Sequence, residues 1–233
     1  MKVVILAGGK GTRISEYTKS IPKPMIRIKK IPLIIYIMSH YARFGFKDFI
    51  IAAGYKHEVI KEYFKNKFFD WKIKIINTGN NTMTGGRVKR LKKYIKDELF
   101  LLTYGDGLSN VDIKRLIKFH IKRKAIVTLT AVRPPARFGV IDIKKDKVIT
   151  FREKSSLDSG WINGGFFVMS QQVFKYIRND QTFLERNPFI KLSADGKLFA
   201  YKHKDFWHCM DTVRDKEIIE SIVKKKQILN LRF

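Results

Sequence analysis

Cysteine is almost missing from this 233-residue chain: Cys209 stands alone, so an internal disulfide and a cysteine-rich zinc cluster are both excluded. A single thiol suits a reducing compartment. No run of eighteen uncharged apolar residues occurs, which leaves no candidate for a membrane-spanning helix. The first residues pass straight from an apolar strand to glycine, without the long apolar stretch and small-residue cleavage site of a signal peptide. A cytoplasmic protein with no membrane contact is expected. Acidic residues are scarce, 21 Asp and Glu against 48 Lys and Arg, for a formal net charge of +27. The excess lies in scattered lysine pairs such as Lys29-Lys30, Lys92-Lys93 and Lys144-Lys145. A nucleic-acid reader gathers Arg and aromatics into one stripe, so no nucleic-acid partner is expected. The charge would instead steer phosphorylated small molecules toward a cleft. His40, His57, His120, His203 and His208 show no metal-ligand spacing and read as surface or packing residues.

What the chain does have is 45% hydrophobic residues, enough to fill the core of one large domain. Up to about residue 132, short β-branched runs alternate with segments of helical period. Strands are predicted over residues 2–6, 48–52, 73–77, 99–103 and 126–131, and helices over 32–44, 58–68, 87–95 and 111–122. Repeated β-α units imply right-handed crossovers and a mostly parallel sheet covered on both faces. Beyond it shorter strands are predicted at 138–143, 147–151, 162–169 and 198–201, with a last helix at 213–226. No low-complexity linker separates the two parts, so the second half should extend the same sheet. The expected fold class is α/β, a Rossmann-like doubly wound mixed sheet with a small β-rich C-terminal extension. The chain reads as a single domain, with residues 1–132 as one half and 133–233 as the other.

The first strand feeds Leu6-Ala7-Gly8-Gly9-Lys10-Gly11-Thr12-Arg13, and Lys23 follows between Pro22 and Pro24. Glycines let backbone N–H groups approach a ligand closely, and the cations show its sign, so a polyphosphate is expected. Two better-known phosphate loops fail: no Gly-Lys-Ser/Thr follows a four-residue spacer, and Ile14 stands where Gly-x-Gly-x-x-Gly needs its third glycine. That second failure also argues against a nicotinamide-dependent oxidoreductase.

Further clusters fall at predicted strand ends or turns. Residues 77–87 form a loop of small and hydrogen-bonding side chains that contains Thr82 and ends at Arg87. Tyr104-Gly105-Asp106-Gly107 stops an apolar strand at a carboxylate between two glycines, where either a turn residue or a metal-binding Asp belongs. Glu153-Lys154 sets opposite charges side by side. Asn163-Gly164-Gly165 puts two glycines inside an apolar strand, which points to a bulge or to close approach by a ligand. Asp211-Thr212 precedes the last helix, where either residue could be its N-cap and Asp211 could instead partner Asp106 around a hard cation.

In order and content these clusters resemble the sugar-phosphate nucleotidyltransferases, and within them the cytidylyltransferases, over nearly the whole chain. The resemblance implies reaction of CTP with glucose 1-phosphate to give CDP-glucose and pyrophosphate, with Mg²⁺, in surface-polysaccharide biosynthesis and by a homo-oligomer. UTP or dTTP, or another sugar or small-molecule phosphate, is the alternative. A non-catalytic basic binding protein would need the loop but not Arg13, Lys23, Asp106 and Asp211 together. The resemblance further implies that Leu6, Ala7, Gly8, Gly9, Gly11 and Thr12 cradle the nucleotide, with Thr82, Arg87 and Gly105 also in contact. It implies that Arg13, Lys23 and Lys154 are the catalytic cations and that Asp106 and Asp211 are the metal ligands. Glu153, Asn163 and Gly164 would hold the hexose.

Overall fold

The computed structural model describes residues 1–65, 70–134, 140–152 and 160–225. Its first element, β1 (Val3–Ala7), is buried along its whole length, as a central strand covered on both faces must be. Side chains alternate between faces. Val3, Ile5 and Ala7 enter one apolar cluster, while Val4 and Leu6 enter another on the opposite side.

Along the chain follow α1 (Ser15–Thr18), the short pair β2 (Arg27–Ile28) and β3 (Ile31–Pro32), α2 (Leu33–Arg43), β4 (Asp48–Ala53), α3 (His57–Lys65) and β5 (Lys72–Asn77). Next come α4 (Thr84–Arg90), β6 (Leu99–Tyr104), β7 (Gly107–Ser109), α5 (Ile113–Lys122) and β8 (Val127–Val132). The remainder holds β9 (Val140–Lys144), β10 (Lys147–Arg152), β11 (Ile162–Ser170), α6 (Asn187–Ala194), β12 (Leu198–Lys202), β13 (Trp207–Cys209) and α7 (Val213–Lys225).

Seven strands form one sheet in the order β12-β8-β11-β6-β1-β4-β5. Strand β1 runs parallel to β4 and β6, β4 to β5, and β8 to β12. Strand β11 enters between β6 and β8 and is antiparallel to both, so the sheet is mixed. The second half therefore extends the first sheet: β11 lies inside it and β12 at its edge. Strands β9 and β10 form a separate hairpin.

Each predicted strand is present within a residue or two, apart from the predicted residues 138–139, which lie outside the described residues, whereas the short strands β2, β3, β7 and β13 had no counterpart in the sequence reading. Residues 66–68 of one predicted helix and residue 226 of another also lie outside them. One helix differs for a physical reason. Periodicity started it at residue 87, yet α4 begins at Thr84 and includes Gly85 and Gly86. The Gly85 N–H donates to Thr182 O at 2.9 Å, and a Cβ on Gly86 would come within 2.4 Å of Asp180 O. Close backbone packing requires glycine there, overriding its low helix propensity. Helix α6, with Pro188 in its first turn, had no counterpart in the sequence reading.

Glycine at 164–165 marks a bulge. The register of β11 on β8 shifts between Asn163 and Phe167, Gly165 takes φ +78°, and a Cβ on it would meet the Tyr104 ring at 2.5 Å. Among the described residues no helix is long and apolar enough to cross a membrane.

Gly86→Ala is expected to lower stability by about 1–3 kcal/mol, because the added methyl meets backbone that cannot yield. Gly9→Ala, where a Cβ would find nothing within 4 Å, should stay within roughly 0.5 kcal/mol of the parent. Urea midpoints of the two variants check the contrast.

Candidate active site

Parallel strands deliver their carboxyl ends to one rim, and the loops after β1, β5 and β6 line a cavity of about 300 Å³ there. Leu6, Ala7, Gly8, Gly9, Gly11, Arg13, Lys23, Thr82, Arg87, Gly105 and Asp106 all face it. Thr12 stands exposed at the start of a 3₁₀ turn, and Asn163, Gly164 and Asp211 border the region without lining this cavity. Glu153 and Lys154 lie outside the described residues. Sequence reasoning did not pick out Pro24, Met83, Thr84, Tyr104 and Phe183, which also line it. Met83, Thr84 and Tyr104 sit within clusters noted for other residues; Phe183 carries no local signal.

The glycine loop is shaped from beneath by Arg87. Its guanidinium is buried and donates to Gly8 O at 2.9 Å, to Gly79 O and Thr78 Oγ1 at 2.7 Å, and to Ala53 O at 3.4 Å. One side chain thus clamps the ends of β1, β4 and β5 by charge-assisted bonds. Gly8 is required by this clamp, because a Cβ there would come within 2.1 Å of the guanidinium. Burial, with the neighbouring Arg90 charge, lowers the Arg87 pKa from its ordinary value. At the loop's far end Gly11 takes φ +64° and ψ +37°, the left-handed conformation that glycine adopts at least cost.

Two carboxylates converge on the same rim. Asp106 follows β6 directly, whereas Asp211 arrives from far along the chain because β13 pairs antiparallel with β7 and Met210 N–H donates to Asp106 O at 2.9 Å. Either Asp211 or Thr212 could have capped α7, and the structure uses Thr212. The Asp215 N–H donates to Thr212 Oγ1 at 3.2 Å, while Asp215 Oδ2 accepts from the Thr212 N–H and hydroxyl at 2.8 Å each, a reciprocal capping box. Despite the opposing effect of burial, those bonds hold the Asp215 carboxyl below its usual range. The Asp211 carboxylate is left to face the site.

Both carboxylates meet Lys23. Its ammonium lies 2.7 Å from Asp106 Oδ2 and 2.6 Å from Asp211 Oδ1, on a 3₁₀ turn that begins after Pro22, with only 8% of the residue exposed. Burial works against the charge, but the two carboxylates outweigh it and hold the pKa above its ordinary value. Arg13, mostly exposed, places Nη1 2.6 Å from Asp211 Oδ2. The Cys209 thiol is pushed well up by burial and then by the charge of Asp106, so it is a neutral neighbour here.

A divalent cation fits this donor set. The carboxylate oxygens of Asp106 and Asp211 and the Cys209 sulfur lie within 4.8 Å of one another, and the space between the carboxylates already accepts a cation, the Lys23 ammonium. Oxygen donors of this kind suit a hard ion.

Two histidines pack inside the protein. His40 Nε2 lies 3.0 Å from Val111 O and His120 Nδ1 2.9 Å from Thr128 Oγ1, and burial brings both imidazoles down to about 4.

Comparison with known proteins agrees with this geometry. The nucleotidyl transferase family profile matches residues 2–209. Glucose-1-phosphate cytidylyltransferase of Salmonella typhimurium is 45% identical over 97% of this chain and 96% of its own. D-glycero-alpha-D-manno-heptose 1-phosphate guanylyltransferase of Campylobacter jejuni is 36% identical over 85% of this chain and 91% of its own. The crystal structure of HddC from Yersinia pseudotuberculosis complexed with GMP-PN has a TM-score of 0.77 at 26% identity, covering 95% of this chain and 99% of that one. With a glycine loop, two cations and two carboxylates converging at the strand ends, the chain belongs to the nucleotidyl transferase family.

Proposed function

We propose that this nucleotidyltransferase transfers the cytidylyl group of CTP to glucose 1-phosphate, giving CDP-glucose and pyrophosphate. The observation that carries the reaction class is the meeting of Arg13, Lys23, Asp106 and Asp211, from four separate segments, beside the glycine-lined cavity. The choice of substrates is supported by the 45% identity to glucose-1-phosphate cytidylyltransferase along nearly the full length of both chains.

The acceptor phosphate is already an anion, so the protein need supply neither a nucleophile nor a strong base. An acceptor oxygen forms a bond to the α-phosphorus as the bond from that phosphorus to the departing pyrophosphate breaks. Catalysis becomes positioning and charge neutralisation. Backbone N–H groups of the loop at Gly8, Gly9 and Gly11 hold the triphosphate. Arg13 turns from Asp211 to the leaving pyrophosphate, and Lys23 turns from the carboxylates to the α-phosphate. Asp106 and Asp211 hold Mg²⁺, which when bound supplies charge neutralisation at the α-phosphate. Lys154 grips the sugar phosphate, and Glu153, Asn163 and Gly164 hold the hexose. Arg87 contributes by fixing the loop through its bonds to Gly8, Thr78 and Gly79.

Residues 1–132 serve the nucleotide and 133–233 the sugar, within one domain. The enzyme works in the cytoplasm as a homo-oligomer and feeds surface-polysaccharide synthesis, and its charge draws both anionic substrates toward the rim.

Pyrophosphate release should be fastest with CTP and glucose 1-phosphate when CTP, UTP, dTTP and GTP are crossed with several hexose 1-phosphates. Release from no pair would reject the reading, and a clear preference for another base would reassign the nucleotide. Asp106→Asn should lower kcat about a hundredfold or more. Its circular-dichroism melting curve should stay cooperative, because Lys23 keeps Asp211; undiminished turnover would remove Asp106 from the metal site.

A further inference from the structure

The loop before α6 carries a carboxylate that bridges the two sides of the site. Glu185 Oε2 accepts from Thr84 Oγ1 at 2.7 Å, and Glu185 Oε1 accepts from the Tyr104 hydroxyl. Tyr104 in turn accepts from Asn163 Nδ2 at 3.2 Å, and Asn163 Oδ1 accepts from the Gly165 N–H at 2.9 Å. Thr84 is itself held, its hydroxyl oxygen accepting the Leu184 N–H at 2.9 Å. Thr84 and Tyr104 both line the glycine-loop cavity. A continuous hydrogen-bonded line therefore runs from the wall of the nucleotide cavity to the bulge in β11.

The direction of each bond matters. A phenol has one proton to give, and here it goes to Glu185, so only lone pairs face Asn163. The Asn163 amide can then turn only its nitrogen to Tyr104, which agrees with its oxygen accepting from Gly165. One amide N–H and one carbonyl lone pair are left for another partner. The Tyr104 ring cannot swing away, because it packs on Gly165 and edge-on against Phe167 at 5.5 Å.

We propose that Glu185 is a positioning residue for the acceptor: through Tyr104 it orients the Asn163 amide so that its free N–H and lone pair meet hydroxyls of the sugar, and through Thr84 it ties that amide to the nucleotide wall. This rests on the assignment of Asn163 to the hexose made above. Glu185 contacts no reacting atom in this scheme. Its effect should fall on the acceptor, with nucleotide binding and the chemical step little changed.

Steady-state kinetics with both substrates varied will test it on the parent, Glu185→Gln, Tyr104→Phe and the double variant. Each single change should raise the KM for the sugar 1-phosphate roughly tenfold while the nucleotide KM and kcat stay within about threefold. The double variant should rise no further, because both changes cut the same line. Should Glu185→Gln lose its cooperative thermal transition, Tyr104→Phe, which removes one oxygen, decides alone. An unmoved acceptor KM, or a rise shared equally by the nucleotide, overturns the assignment of Glu185 while an active parent leaves the proposed reaction standing. A parent that turns over no sugar phosphate overturns both.

Discussion

Two carboxylates held side by side repel each other, and this structure answers with a buried ammonium. Lys23 touches Asp106 and Asp211 together while almost wholly removed from solvent. Each partner needs the others. A buried Lys without a counter-charge would cost several kcal/mol, and two carboxylates with no cation between them would repel each other across the site. The Arg13 pair to Asp211 differs in kind: its guanidinium side chain is 72% exposed, so the contact contributes at most about 1 kcal/mol and is readily given up. Four charged side chains from separate segments are thus balanced against one another in internal ion pairs.

Keeping that triad in register takes several distant devices. The proline-flanked turn presents Lys23 from one side, and Pro24 packs on Gly105, where a Cβ would come within 2.8 Å of its ring. Pairing of β13 with β7 brings Asp211 to Asp106. The Thr212–Asp215 capping box satisfies the start of α7 and leaves Asp211 outward. Arg87 does for the glycine loop what Lys23 does for the carboxylates, since one buried cation collects acceptors from several strand ends. Both cations are buried among acceptors of the protein itself, which the chain's large positive charge does not reveal.

Much of this was legible beforehand. A β-α rhythm with apolar, β-branched runs gave the boundaries of the long strands within a residue or two, since periodicity reports directly which faces are buried. The glycine loop and Asp106 announced themselves at strand ends, Lys23 between two prolines, and Asp211 just before the last helix. Other features left no local mark. Helix α4 carries two glycines in its first turn, packed on the backbone of residues 180 and 182, and Phe183 and Glu185 reach the site from a turn with no motif of its own. The double glycine of β11 hinted at a bulge, but that the Tyr104 ring fills the space could not be read from a strand pattern.

The sequence by itself determined the class of fold and the order of the long strands and most of the long helices, and it pointed to a phosphorylated ligand, because these depend on local propensity, periodicity and residue type. Only the tertiary structure decided what each charge does. Arg87 lines the cavity and also donates hydrogen bonds to the protein's own loops; Thr212, not Asp211, caps the last helix; Lys23 bridges residues 83 and 188 positions away in sequence. The reason is physical. Electrostatic and hydrogen-bond roles are set by distances of about 3 Å between groups far apart in the chain, and such distances exist only once the sheet has closed around them.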